Sequence, residues 1–261
     1  MCRKTCRHWD PTLPVIYVIT PTYARPVQKA ELTRLSHTLM LVTNLHWIVV
    51  EDAVRKSSLV ESLLMRTALN YTHLNAPTPD IHKRKASVRG VEQRNTAIKW
   101  LRNNKNSEVD NGVVYFADDD NSYTLEVFEE MRKTIEVSVW PVGLVGGLMV
   151  EKPLLNTTTG RVIGWNSAWR PDRPFPIDMA GFAVNLGHLL RHPKVEFLFN
   201  ISGGFQESVF LQQLTTTERL EPKADNCTKV LVWHTRTESP KLTEENKLRK
   251  LGKQSDKGME I

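Results

Sequence analysis

The segment Gly112-Val-Val-Tyr-Phe-Ala-Asp-Asp-Asp-Asn121 constrains this chain more than any other. An apolar run of β-branched and aromatic residues reads as a buried strand, and it ends without transition in Asp118, Asp119 and Asp120. Three adjacent carboxylates repel one another, so they need either open solvent or a cation among them. All-oxygen ligands select a hard divalent ion such as Mn²⁺ or Mg²⁺, and such ions commonly bind together with a substrate's phosphates. Two readings follow. The triplet holds a metal and a phosphorylated ligand, or it is a solvated acidic turn opening the next helix, where carboxylates suit the helix dipole.

The order of elements favours a nucleotide-binding sheet. A strand is predicted over Val15–Thr20, closed by Pro21, then a helix over Val27–Val42 whose apolar residues recur at helical spacing. A strand over Leu45–Val50 ends at Glu51 and Asp52. Leu59–Leu69 reads as a helix, Tyr71–Leu74 as a strand, and Val91–Leu101 as a helix ahead of the Asp-tipped strand. Strands alternating with helices imply a mainly parallel α/β sheet, with ligands outside the carboxyl ends of the strands. Thr20–Arg25, Glu51-Asp52 and Asp118–Asp120 all fall there. Neither Gly-x-Gly-x-x-Gly nor Gly-x-x-x-x-Gly-Lys is present, so dinucleotide redox chemistry and a P-loop ATPase lack support.

The second half has another texture. Val137–Val145, Leu148–Glu151 and Arg161–Trp169 read as strands containing Trp140, Trp165 and Trp169, each able to pack in a core or to stack on a sugar ring. Arg173 and Asp178 flank a Pro-stiffened turn. Glu207 follows Gly203-Gly204 at a helix start, as a general base or as a first-turn carboxylate stabilising the helix terminus. A strand over Val230–Trp233 runs into His234 and Arg236, which share one face of an extended segment and suit a diphosphate or stand as a surface pair.

Composition narrows the partners. The 261 residues carry a net charge of +6 with local excess at Arg3–His8, His82–Arg89 and Lys247–Lys253. That balance suits anionic ligands, and without any RNA or DNA module no nucleic-acid partner is expected. Cys2, Cys6 and Cys227 give an odd count and no zinc spacing. Asn70, Asn156, Asn200 and Asn226 each open an N-glycan acceptor pattern, which is permissive only. No run of roughly 20 apolar residues crosses a membrane.

Together these blocks resemble the animal β-1,3-glucuronosyltransferases. The likeness rests on Leu13–Arg25, Leu45–Asp52, Arg89-Gly-Val-Glu-Gln-Arg-Asn95, the Asp triplet, Trp140–Gly147, Phe175–Phe182, Gly204–Ser208 and Leu231–Glu238, in order along the chain. It implies a GT-A type fold: a UDP-sugar-binding subdomain over residues 13–121, an acceptor-binding and catalytic subdomain over 122–247 and a C-terminal tail over 248–261, while residues 1–12 read as an N-terminal remnant that departs from the family in showing no transmembrane anchor. It implies UDP-glucuronate as donor, Mn²⁺ as cofactor, a terminal galactose as acceptor and a homodimer in the Golgi. The wording around Ala24-Arg25 and Ala168-Trp169 looks most like the branch that completes the glycosaminoglycan linker; the branch that caps N-acetyllactosamine for the HNK-1 epitope is its rival. A catalytically silent carbohydrate-binding relative is the remaining alternative.

Residue by residue, the resemblance puts Tyr23, Asp52, Arg89 and Arg94 at the uridine end and Asp118 at the ribose. It gives the metal to Asp119 and chiefly Asp120, with His234 and Arg236 near the diphosphate. Glu151, Arg173 and Asp178 would orient donor or acceptor sugar, Trp169 would face the acceptor, and Glu207 would be the catalytic base. The loop Pro77–Val88 departs from the family in being shorter and more basic, which leaves the donor loop open.

Overall fold

In a computed structural model of the chain, residues 9–82 and 88–259 are described. Cys2, Cys6, the basic stretch 3–8 and the centre of the basic loop, 83–87, lie outside them. The amino-terminal part runs β1 (Val15–Thr22), α1 (Gln28–Leu39), β2 (Leu45–Glu51), α2 (Ser58–Thr67), β3 (Asn70–Asn75), α3 (Val91–Asn104) and β4 (Gly112–Phe116). Then follow β5 (Ser122–Tyr123), α4 (Leu125–Met131), β6 (Val137–Val139), β7 (Val142–Gly143), β8 (Val150–Leu155) and β9 (Val162–Asn166). The remainder is β10 (Phe182–Asn185), α5 (Leu186–Arg191), α6 (Gln206–Gln212), β11 (Glu221–Pro222), β12 (Val232–Trp233) and a last helix, Thr243–Lys250.

Seven strands form one sheet in the order β11-β6-β10-β4-β1-β2-β3. The β4-β1-β2-β3 half is parallel, as the alternation of strands and helices requires, and β10 pairs antiparallel with β4 and β6. Both faces are covered. Ile16 and Val18 point into one apolar cluster with Leu32, Leu35 and Trp47, while Tyr17 and Ile19 point into another with Ile98, Phe116 and Phe210. This two-residue alternation, apolar on both sides, is why the central strands read as continuous hydrophobic runs.

Pro21 does not end β1. It lacks only a donor, and the register continues through Pro21 opposite Val50 and Thr22 opposite Glu51. Helix α1 is shorter than its apolar spacing predicts: the Leu41 N–H bonds Thr38 O and the Val42 N–H bonds Leu39 O, tightening the chain out of the α-helical ladder. Helix α2 starts at Ser57, whose hydroxyl accepts from the Val60 N–H at 3.2 Å, and stops at Ala68, which is left-handed with φ 54°.

A second sheet, β5-β12-β7-β8-β9, stands beside the first. The strand expected over Val137–Val145 is broken at Trp140-Pro141, and its halves enter different sheets. Trp140 is buried, and its indole N–H and the Tyr115 hydroxyl both donate to Ala180 O, at 2.8 and 3.0 Å. That clamp holds the short turn beginning at Asp178. Trp165 also packs, edge-on to Phe175. Ahead of β12, Ala224–Cys227 form a left-handed turn with φ between 54° and 58° at four non-glycine residues.

Candidate active site

Two adjoining clefts open at the carboxyl ends of the strands. The first, about 440 Å³, is lined by Tyr23, Asp52, Arg89, Arg94, Asp118, Asp119 and Asp120, together with Thr22, Arg25, Thr78, His82 and Gln93. The second, about 980 Å³, is lined by Glu151, Trp169, Arg173, Asp178, Glu207, His234 and Arg236, together with Leu144, Val145, Gly146, Gly147 and Thr235. Every residue to which the family resemblance gave a role borders one cleft or the other, whereas Glu51, Trp140 and Trp165 border neither. His234 and Arg236 line the second.

The aspartate triplet is divided by its neighbours. Asp118 meets Arg94 Nη2 at 2.6 Å. Asp119 accepts from Arg25 Nη2 at 2.6 Å and from the Thr22 hydroxyl at 2.8 Å, and Arg25 also pairs with buried Glu31. Burial raises the Asp119 carboxyl and outweighs the opposing pull of Arg25. Asp120 has no such cation. Burial, then Asp118 and Asp119, push its carboxyl up to about 6. Of the triplet, only Asp120 presents a carboxylate that no arginine engages, and among the described residues no group of three or more His, Cys, Asp or Glu side chains is placed to hold a metal.

Local sequence explains the rest of this cleft. Gly90, at φ 76°, caps α3 where a Cβ would lie 2.3 Å from Arg94 Nη1; glycine is what lets Arg94 fold back over the helix start. Asp52 accepts the Thr78 N–H and hydroxyl, both at 2.7 Å, which fixes its carboxylate on the cleft wall. The Arg25 guanidinium lies 4.5 Å from the Tyr23 ring centroid and backs a ring that is about half exposed.

In the second cleft, Arg173 is buried and spans two loops, donating to Gly204 O at 2.8 Å and Trp169 O at 3.2 Å. Its guanidinium also sits 4.9 Å from the Trp169 ring. Glu151 accepts from the Ser167 hydroxyl at 2.5 Å and lies 3.9 Å from Arg173; burial raises its carboxyl. Asp178 lies 3.1 Å from His234 Nδ1, and this contact raises the imidazole above its ordinary value. Glu207 stands at the start of α6 with Oε2 enclosed and without a hydrogen bond. Burial first, then Asp178, push its carboxyl up to about 7, against Arg94 and Arg173.

Gly204 is fixed by the same packing: at φ 74°, a Cβ there would come 2.0 Å from the Trp169 ring. Gly204→Ala should therefore cost at least about 1–2 kcal/mol of stability and displace Trp169. Thermal melting of the variant beside the parent measures the loss.

The sequence did not point to Arg25 as the partner of Asp119, nor to Thr78, Ser167 or Thr235. Arg25 lay inside a flagged polar cluster, so its position was legible though its partner was not. The others are ordinary hydroxyl residues whose roles depend on tertiary contacts.

Comparison with known proteins decides the family. The model of glycosyltransferase family 43 matches residues 35–238. The chain belongs to glycosyltransferase family 43. Relatives within it include the dog galactosylgalactosylxylosylprotein 3-beta-glucuronosyltransferase 2, 57% identical over 92% of this chain and 73% of its own length. The human galactosylgalactosylxylosylprotein 3-beta-glucuronosyltransferase 1 is 56% identical over 92% of this chain and 74% of its own length. Among solved structures, S. aureus TarS 1-349 in complex with UDP-GlcNAc superposes with a TM-score of 0.58 at 18% identity, covering 87% of this chain and 60% of that one. The family 43 chain thus has the GT-A glycosyltransferase fold expected from its sequence.

Proposed function

We propose that this family 43 chain is an inverting β-1,3-glucuronosyltransferase. It moves glucuronate from UDP-glucuronate to the 3-hydroxyl of a terminal galactose, completing the linker tetrasaccharide on which glycosaminoglycans are built. Relatives at 56–58% identity over nine-tenths of the chain carry that transfer in their names. The observation that carries the chemistry is Glu207: a buried carboxylate with one enclosed, unpartnered oxygen, its carboxyl raised by burial to about 7, in the cleft that adjoins Asp120.

The first cleft suits the UDP end. Tyr23 offers a ring face for the base, Asp52 and Arg89 its polar edge, and Arg94 with Asp118 the ribose. The second suits the sugars, with Trp169 against the apolar face of the acceptor and Glu151, Arg173 and Asp178 directing hydroxyls or the donor carboxylate. Transfer from an α-linked donor to a β product needs one in-line displacement. The galactose O3 attacks the anomeric carbon as the bond to the diphosphate oxygen breaks, and its electron pair leaves with UDP. Glu207 takes the O3 proton, and His234 and Arg236 face the departing negative charge.

Asp120 fits a divalent cation, Mn²⁺ by family resemblance: its carboxyl is raised by burial and by two neighbouring like charges, and a positive charge would relieve both. When bound with the substrate's phosphates, such an ion supplies Lewis-acid neutralisation of the diphosphate. The same resemblance supports a homodimer working in the Golgi lumen. Among the described residues no helix is long and apolar enough to cross a membrane.

A base must be unprotonated to act, so kcat/KM should rise with pH to a plateau through an apparent pKa of about 7. A flat profile from pH 5.5 to 8 would rule out Glu207 as the base. Side-by-side assay of Gal-β1,3-Gal and Gal-β1,4-GlcNAc with UDP-glucuronate tests the acceptor; preference for the second would assign the chain to the N-acetyllactosamine branch.

A further inference from the structure

The backbone carbonyl of Asp120 is gripped from two sides. The Thr235 hydroxyl donates to it at 2.6 Å, and Arg34 on α1 reaches it with Nη2 at 3.1 Å. The same Thr235 hydroxyl lies 3.2 Å from Ser122 Oγ on β5. This contact joins two chain segments 115 residues apart, one ending in the carboxylate of the first cleft and the other carrying His234 and Arg236 of the second.

Up to Thr235 the segment is well held. Val232 and Trp233 pair with β5 and β7, the His234 N–H donates to Gly143 O at 2.9 Å, and the Thr235 N–H donates to Trp233 O at 3.0 Å. Beyond it, among the described residues, no hydrogen bond holds residues 236–241 before the backbone bonds of the last helix resume at Leu242. The Thr235 hydroxyl is therefore the last anchor ahead of Arg236, an exposed residue on the cleft wall.

We propose that Thr235 is a positioning residue, whose hydroxyl locks the His234–Arg236 segment to the backbone of Asp120 so that cations and carboxylate face one diphosphate across the junction of the two clefts. The assignment rests on the reading of the first cleft as the UDP site. It does not depend on which sugar is transferred. Thr235 itself touches neither substrate nor product in this scheme; it acts through the residues on either side of it. Loss of the hydroxyl leaves the Asp120 carbonyl with Arg34 alone and frees the chain toward Arg236, which costs interactions at the phosphate end and none at the base.

The test compares Thr235→Val, which keeps the branched shape and removes the donor, with Thr235→Ser, which keeps the donor. UDP and uridine are titrated separately into the full chain with Mn²⁺ present. The expected result for Thr235→Val is a UDP Kd raised about 3- to 10-fold, uridine affinity unchanged, and a thermal midpoint within about 3 °C of the parent. Thr235→Ser should return the UDP Kd to the parent value. Parent-like UDP binding by the valine variant, equal losses for uridine and UDP, or failure of serine to rescue would each overturn the proposal. If the parent gains no UDP affinity from Mn²⁺, the reading of the first cleft falls and the assignment falls with it. A parent that binds UDP and Mn²⁺ but does not transfer glucuronate defeats only the proposed reaction.

Discussion

Glu207→Gln should lower kcat by about 10²- to 10⁴-fold while leaving the UDP Kd within about twofold of the parent. The amide preserves the shape of the carboxylate at the start of α6 and removes its basicity, so the donor cleft is untouched and only proton removal from the attacking hydroxyl is lost. Stopped assays of UDP release beside calorimetry measure both quantities. Near-parental turnover would remove Glu207 from the role of base. The same variant has a readout in stability. A carboxyl raised from its ordinary value to about 7 in the folded chain keeps its proton after the unfolded chain has released its own. Stability therefore falls as pH rises from about 4.5 to 7, and the glutamine variant should melt higher than the parent at pH 8.

Asp120→Asn should abolish the gain in UDP affinity that Mn²⁺ gives and reduce turnover on the order of 10²–10³-fold. Asp118 and Asp119 cannot substitute, because Arg94 and Arg25 already occupy them at 2.6 Å each. Calorimetry of UDP with Mn²⁺ and with chelator decides the matter: a parent-sized difference between the two in the variant would show that the cation sits elsewhere. Thermal stability should hold or rise, since the substitution removes a carboxylate raised by burial and by its like-charged neighbours.

The central sheet was legible because parallel strands buried on both faces leave long β-branched runs, as in Ile16–Ile19, Ile48–Val50 and Val113–Phe116. Their polar tips were legible for the same reason: a run of apolar residues ending in Asp or Glu marks where a strand leaves the core. The second sheet was legible in part: strands were expected across β7, β9, β12 and the start of β8, whereas β5, two residues long, is too short to show a period. What divides the aspartate triplet was also out of reach. Arg25 is 94 residues from Asp119 and Arg94 is 24 from Asp118, and only the fold brings each pair together. The left-handed turn over Ala224–Cys227 has no glycine to signal it, so local propensity gave no warning of it.

Because β10, β6 and β11, drawn from the later part of the chain, are hydrogen-bonded into the same sheet as β4 and β1, the Asp178 turn on the wall of the second cleft and the aspartate triplet on the wall of the first stand at the ends of paired strands. Rocking one wall away from the other about a hinge would break the β10–β4 ladder, unlike the closures of enzymes whose halves are joined by linkers alone. Admission of sugar and release of nucleotide therefore fall to side chains and rim segments such as Arg236 and the residues that follow it, and turnover should track how quickly that rim rearranges.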